Sequence, residues 1–264
     1  MTPLYWPHFN PIALHLGPLA IHWYGLMYLV GLVGGWGLAV WRSRRQGNTW
    51  NSEQISDLLF YVALGVILGG RIGYMVFYNL PTLIHEPLSL FKVWDGGMAF
   101  HGGLLGVAIA LLVYGRKYHR TFFELTDFIT PFIPIGLGAG RIGNFINGEL
   151  WGKVTTVPWG MIYPHAGPLP RHPTELYEFL LEGVLLFIIL WIYSAKPRPR
   201  CAVTGMFLLC YGLFRFFVEF YRVPDAQYGY FFWDWVTMGQ ILSAPMILLG
   251  ASLLGFAYYK KRLS

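Results

Sequence analysis

Several stretches of this chain stay apolar for longer than about 18 residues, the length a helix needs to cross the hydrocarbon of a bilayer. Only 12% of its 264 residues are charged, about half the ~25% usual in soluble domains. Runs of this length and number predict an all-α membrane protein rather than a soluble fold with a large core. Basic residues then set the topology. Twelve of the 19 Lys and Arg residues fall in four short clusters: Arg42, Arg44 and Arg45; Arg116, Lys117 and Arg120; Lys196, Arg198 and Arg200; Lys260, Lys261 and Arg262. Each cluster follows an apolar segment, as cytoplasmic flanks do. The net charge of +6 therefore reports orientation, and no nucleic-acid partner is expected.

Seven transmembrane helices fit every cluster, at about 19–41, 55–78, 97–115, 122–143, 174–195, 203–221 and 238–259. The N-terminus then lies outside (periplasmic) and the C-terminus is cytoplasmic. A small outer-face segment at about 145–172 carries Pro158, Pro164, Pro168 and Pro170 and is too broken and polar to span. The whole of 1–264 reads as a single multi-pass membrane domain. The N-terminus has neither a basic n-region nor a small-residue cleavage site, so no removable signal peptide is expected. Asn51 with Gln54 and Thr121 with Glu124 have the spacing of capping boxes at helix starts. Cys201 and Cys210 lie on one helix, too far apart for a disulfide at a rise of ~1.5 Å per residue.

Polar residues inside such spans are costly unless they face a cavity, a partner or a ligand. On the seven-span arrangement Tyr24, Arg71, His101, Arg141, Asn144, Glu178, Arg215 and Glu219 all fall in the outer half of the bilayer. Glu178 and Glu182 share one helix face, and Tyr211, Arg215 and Glu219 form a stripe at intervals of four. The densest stretch is Gly140-Arg-Ile-Gly-Asn144-Phe-Ile-Asn147-Gly-Glu149-Leu-Trp-Gly152. Gly138-x-Gly140-x-x-Gly143 matches a dinucleotide fingerprint on paper but lacks the preceding strand, so it reads as a small-residue helix face. No zinc-ligand spacing, P-loop or nucleophile elbow is present, and neither a metal nor a cofactor is expected. Arginine forks suit phosphate oxygens, so an anionic phospholipid is the natural ligand, with His101 available as general base. An outer-leaflet anionic-phospholipid transporter or scramblase is the alternative, although such proteins tend to show repeated halves.

At this point the sequence resembles the prolipoprotein diacylglyceryl transferases over essentially its whole length. The resemblance is carried by His22-Trp-Tyr24-Gly25, Gly69-Gly-Arg71-Ile-Gly-Tyr74, Trp94-Asp-Gly-Gly-Met98 with His101-Gly-Gly103, Gly140 to Gly152, Arg171-His-Pro173 and Tyr211 to Glu219. It implies a bacterial inner-membrane enzyme whose site faces the periplasmic leaflet. The implied reaction moves the sn-1,2-diacylglyceryl group of phosphatidylglycerol to the thiol of the lipobox cysteine of a preprolipoprotein signal peptide. A thioether forms and glycerol 1-phosphate leaves.

The resemblance also implies roles for particular residues. Arg141 and Arg215 would hold the phosphodiester, together with Asn144, Tyr211, Glu219 and Arg71. His101 would take the thiol proton, with Tyr24 or a substrate-assisted route as the other possibilities. Tyr24 and Asn144 would orient the headgroup, and Glu149 and Glu219 would position the arginines or the histidine. Asn147 and Gly152 would shape the mouth.

Overall fold

The computed structural model describes residues 4–17, 19–44, 49–92, 94, 96–224, 229–231 and 235–263. The chain forms two compact units, Met1–Leu38 with Thr126–Ser264 and Ala39–Leu125.

In the first unit, strand β1 (Leu4–Tyr5) pairs in parallel with β4 (Met161–Ile162), and β2 (Ile12–Leu16) forms an antiparallel hairpin with β3 (Leu19–His22). Helix α1 (Trp23–Ser43) follows at once, and the boundary of the unit falls within it, after Leu38. The region Phe122–Asn147 is continuously helical, as α5 (Phe122–Ile129), a 3-10 turn (Thr130–Phe132) and α6 (Ile133–Asn147). Small residues let α1 lie against α6: a Cβ on Gly31 would come 2.7 Å from the Gly136 Cα. Next come α7 (Thr174–Glu178), a π-helical segment (Phe179–Leu185) and α8 (Leu186–Tyr193). A tight pair, α9 (Ala202–Val218) and α10 (Met238–Leu263), completes the unit. Leu186, Leu190 and Val203 form its apolar centre, with Leu137, Tyr211 and Phe214 packed around them. Asp127 joins α5 to α9 by accepting the Cys201 and Thr204 amides, at 2.7 and 2.8 Å, so it caps a helix start that is not its own.

The second unit holds α2 (Ser52–Phe77), α3 (Leu80–His85), a 3-10 turn (Pro87–Phe91) and α4 (Phe100–Tyr118). Helices α2 and α4 run antiparallel through facing glycines, Gly65 on Gly106 and Gly69 on Gly102. Lipid offers no hydrophobic drive for helix pairing, so close backbone approach of this kind supplies the dispersion contact instead. Both expected capping boxes are present, Asn51 with Gln54 and Thr121 with Glu124.

Among the described residues, five helical stretches are long and apolar enough to cross a bilayer: Trp23–Ser43, Ser52–Phe77, Phe122–Asn147, Thr174–Tyr193 and Met238–Arg262. The chain is thus a mostly helical, multi-pass membrane protein. Ala202–Val218 is apolar but has only 17 residues, and α4 is helical over 19 residues. The expected first span began at Leu19, but Leu19–His22 pairs with β2 and the helix starts at Trp23. The hairpin satisfies those backbone groups as well as a further helical turn would have done. Among the described residues, the four short strands are the departure from an all-α reading.

Candidate functional site

Helix α6 meets the π-helical segment where Gly138 faces Gly183, and a Cβ on Gly183 would sit 2.8 Å from the Gly138 Cα. That approach brings short carboxylate side chains within reach of Arg141, one turn along α6. The Arg141 Nε lies 3.0 Å from Glu178 Oε2, and its Nη2 lies 3.6 Å from Glu182 Oε2. Arg215 on α9 donates from Nη1 to Glu178 Oε1, and its Nη2 is 2.6 Å from Glu219 Oε1. Glu219 in turn pairs with Arg222 at 3.3 Å and accepts the Thr237 hydroxyl at 2.7 Å. The result is an alternating row: Glu182, Arg141, Glu178, Arg215, Glu219, Arg222.

Three cations and three anions balance, but not symmetrically. The side chains of Glu178 and Glu182 are 1% and 0% exposed, whereas those of Arg141 and Arg215 are 18% and 13% exposed. The arginines are the open members, so an anion arriving from outside the row meets guanidinium first. A buried ion pair adds little net stability, yet removing one partner leaves an uncompensated charge that costs about 3–5 kcal/mol. This network is therefore specific in geometry rather than a source of stability. The π-helical segment that carries Glu182 fits that reading, since such segments concentrate at functional sites.

Beyond Arg141, α6 ends in Gly148 at φ +64°. The Asn144 and Asn147 amides both reach Glu149 Oε1, at 2.8 and 3.3 Å. Glu149 is thus held by two amides, while Glu219 is the acid that orders Arg215 and Arg222. Gly152 admits no side chain: a Cβ would lie 2.5 Å from the Tyr221 carbonyl and 2.8 Å from His172 and Thr174. Its amide donates to the His172 carbonyl at 2.8 Å, and it bridges to Arg222, tying this segment to the end of α9. Tyr24 lays its ring on Gly143 and its hydroxyl 3.4 Å from that of Tyr28. Tyr211 stacks on Phe207 one turn before Arg215.

Where the stretch Thr174–Tyr193 begins, the Trp159 indole donates to the Tyr177 hydroxyl at 2.6 Å, and that hydroxyl lies 3.0 Å from His172 Nδ1. Burial holds the His172 pKa below its ordinary value. Indole nitrogen can only donate, so the Tyr177 hydroxyl accepts there, and its own proton is available to Nδ1 when the neutral ring carries its hydrogen on Nε2.

The structure therefore gathers Tyr24, Arg141, Asn144, Asn147, Glu149, Gly152, Tyr211, Arg215 and Glu219 in the first unit. Arg71 and His101 belong to the second. Arg71 is buried and gives its donors to carbonyls: Nε to Leu90 at 3.1 Å, Nη2 to Ser89 at 2.6 Å, and Nη1 to Gly96 and Gly97. His101 stands exposed in the first turn of α4 with its ring edge-on to Phe100.

Sequence reasoning put Glu178 at the depth of the site without giving it a role, and did not place Glu182, Arg222 or Thr237 there. The first two had a signal, as acids four apart in an apolar run. Thr237 had one too, because Thr237-Met-Gly-Gln240 is a capping-box spacing: the Gln240 Oε1 accepts the Thr237 amide at 3.0 Å and the Thr237 hydroxyl accepts the Gln240 amide at 3.3 Å. That box fixes the hydroxyl that Glu219 uses.

Comparison with known proteins agrees with this picture. A family model described as prolipoprotein diacylglyceryl transferase matches residues 11–256. A protein of Coxiella burnetii (strain RSA 331 / Henzerling II) named phosphatidylglycerol–prolipoprotein diacylglyceryl transferase is 60% identical over 258 residues, 98% of this chain and 99% of that one. A Pseudomonas aeruginosa (strain LESB58) protein of the same name is 60% identical over 255 residues, 97% of this chain and 96% of that one. With relatives this similar over nearly their full length, the chain belongs to the prolipoprotein diacylglyceryl transferase family.

Proposed function

We propose that this protein transfers the sn-1,2-diacylglyceryl group of phosphatidylglycerol to the thiol of a preprolipoprotein lipobox cysteine, the first step of lipoprotein maturation. The observation that carries the reading is the pair of guanidinium groups, Arg141 and Arg215, that share one buried carboxylate and keep partly exposed side chains themselves. In this reaction the thiolate sulfur attacks the glycerol carbon that bears the phosphate. A carbon–sulfur bond forms, the carbon–oxygen bond breaks, and the electron pair leaves with the phosphate as glycerol 1-phosphate. Negative charge grows on that phosphate as the bond breaks, so pre-positioned arginines stabilise the transition state more than the bound lipid.

Asn144 and Tyr24 orient the headgroup by hydrogen bonds, with Tyr211 beside them on the stripe that carries Arg215. Glu219 orders Arg215, Glu149 and Asn147 brace the end of α6, and Gly152 closes the turn at the mouth. The thiol proton goes to His101, assigned as base on its exposed ring and its place in the His-Gly-Gly motif; Tyr24 and a substrate-assisted transfer are the other routes. Seven spans in a single domain, N-terminus outside, complete the proposal. They place the site at the periplasmic leaflet of the bacterial inner membrane, where lipid and signal peptide meet.

Purified protein, phosphatidylglycerol in mixed micelles and a lipobox peptide with one cysteine test it. Mass spectrometry is expected to show a diacylglyceryl adduct on the thiol, and a coupled assay one glycerol phosphate released per adduct. Bound lipid that stays intact would bring back transport, a reading that the names of the relatives leave without support.

A further inference from the structure

The two arginines are not positioned independently. One carboxylate touches both: Glu178 Oε2 is 3.0 Å from Arg141 Nε, and Glu178 Oε1 accepts from Arg215 Nη1. Its side chain is 1% exposed, and its backbone has little freedom. Glu178 closes α7, the π-helical segment starts at the next residue, and the Gly138–Gly183 contact pins that segment to α6. Arg215 is fixed from its other side by Glu219 at 2.6 Å, and Glu219 by Thr237 at 2.7 Å. Among the described residues these pairs leave Arg141 Nη1 and Arg215 Nε unused, one donor group on each side of the bridging carboxylate.

We propose that Glu178 is a strut, a positioning residue that sets the span between the Arg141 and Arg215 guanidinium groups so that each addresses a different non-bridging oxygen of one phosphodiester. The inference rests on the reading that these arginines hold the lipid phosphate. The chemistry of the bridge is demanding. An ionised carboxylate offers acceptors on both oxygens, so it can hold two guanidinium groups at once. Glutamine keeps the length but turns one end into a donor that faces a guanidinium donor. Aspartate keeps both acceptors but is one methylene shorter, so it can hold one fork and not the other. Charge alone separates these two substitutions; span does not, because both break it.

The readout is chosen so that partial unfolding cannot imitate the effect. Phosphatidylglycerol with sulfur in place of one non-bridging oxygen exists as two diastereomers at phosphorus. The ratio of their kcat/KM values does not depend on the fraction of enzyme that is folded. Because Arg141 is backed by Glu182 and Arg215 by Glu219, the two oxygens meet unlike partners, and the wild-type protein is expected to prefer one diastereomer on the order of tenfold. In both Glu178→Asp and Glu178→Gln the ratio is expected to fall toward one, with kcat/KM for the preferred isomer lower on the order of 100-fold.

A wild-type ratio near one overturns the strut. So does a ratio that survives both substitutions while the rate falls, which assigns Glu178 a merely structural part. Wild-type behaviour of Glu178→Asp with loss only in Glu178→Gln makes it a counter-charge and also overturns the span. If Glu178→Gln does not fold, Glu178→Asp, which keeps the charge, carries the same test. Wild-type protein that binds lipid without transferring it defeats the transferase reading instead, and the strut is then judged by the same ratio in dissociation constants.

Discussion

The tetrad Gly-Arg-Ile-Gly occurs twice, at Gly70–Gly73 on α2 and at Gly140–Gly143 on α6, and the two arginines end in different chemistry. Arg71 is buried and closed in by the carbonyls of residues 89, 90, 96 and 97. Gly96 and Gly97, at φ +76° and +77°, turn the chain so that those carbonyls converge. Arg141 faces two carboxylates and keeps an 18% exposed side chain. A guanidinium saturated by neutral acceptors organises its own loop. One paired with carboxylates belongs to a charge network that a ligand can enter. The four residues are identical; what stands opposite them decides.

The largest effect expected from this contrast is on turnover. Arg141→Lys keeps the charge but loses the planar fork, and kcat/KM is expected to fall on the order of 10²–10³. Arg71→Lys, measured in the same micellar assay, is expected to lose no more than about tenfold, as an indirect effect of a loosened loop. Equal losses would break the comparison and return Arg71 to the lipid-binding role that the sequence suggested for it.

Stability should depend on Arg71 as well. Arg71→Gln strands several buried carbonyls, an expected loss of roughly 3 kcal/mol, read as a lower melting temperature in detergent with faster amide exchange at residues 96–99. A loss of lipid binding with unchanged melting and exchange would contradict the loop-clamp role.

Much of the fold was legible because its signals are local. Apolar length gave the spans, spacing of four gave the Arg215–Glu219 pair, and capping patterns gave the starts of α2 and α5. The fate of Arg71 was not legible, since its partners are main-chain carbonyls about 20 residues away and every residue has a carbonyl. The hairpin that replaces the expected start of the first span was hidden for a related reason: Leu19–His22 is as apolar as the helix it precedes, and only pairing with Ile12–Leu16 distinguishes it. The bridge made by Glu178 lay between these cases. Its helix face was evident from sequence, but its two partners sit on different helices, and nothing in one chain's sequence reports helix neighbours.

The glycines of the two tetrads sharpen the comparison at a smaller scale. A Cβ on Gly73 would come 2.7 Å from the Gly102 Cα, a backbone atom that cannot move aside, whereas a Cβ on Gly140 meets nothing within 4 Å. Gly73→Ala is expected to destabilise by about 2 kcal/mol through forced separation of α2 and α4. Gly140→Ala is expected to be neutral or stabilising by up to about 1 kcal/mol, because alanine restricts the unfolded chain. Thermal melting of both variants in one detergent decides it; equal losses would mean that the α6 tetrad is packed as tightly as the α2 one.

The smallest effect concerns the neutral hydrogen-bond chain at the edge of the first unit, which contrasts with the charged row beside it. Burial lowers the His172 pKa below its ordinary value near 6.5. The folded protein therefore binds a proton at this ring less readily than the unfolded chain, so stability from the neutral ring is full above the unfolded pKa and is lost as pH falls through the folded one. In the protonated ring both nitrogens carry hydrogen, so Nδ1 can no longer accept from the Tyr177 hydroxyl, which already accepts from Trp159. Between pH 7 and pH 5 the wild-type melting temperature is expected to drop about 2 °C more than that of His172→Asn, whose side chain does not titrate in this range. An equal drop in both proteins would place the pH sensitivity in the buried acids of the row, and the division between a neutral edge and a charged centre would fail.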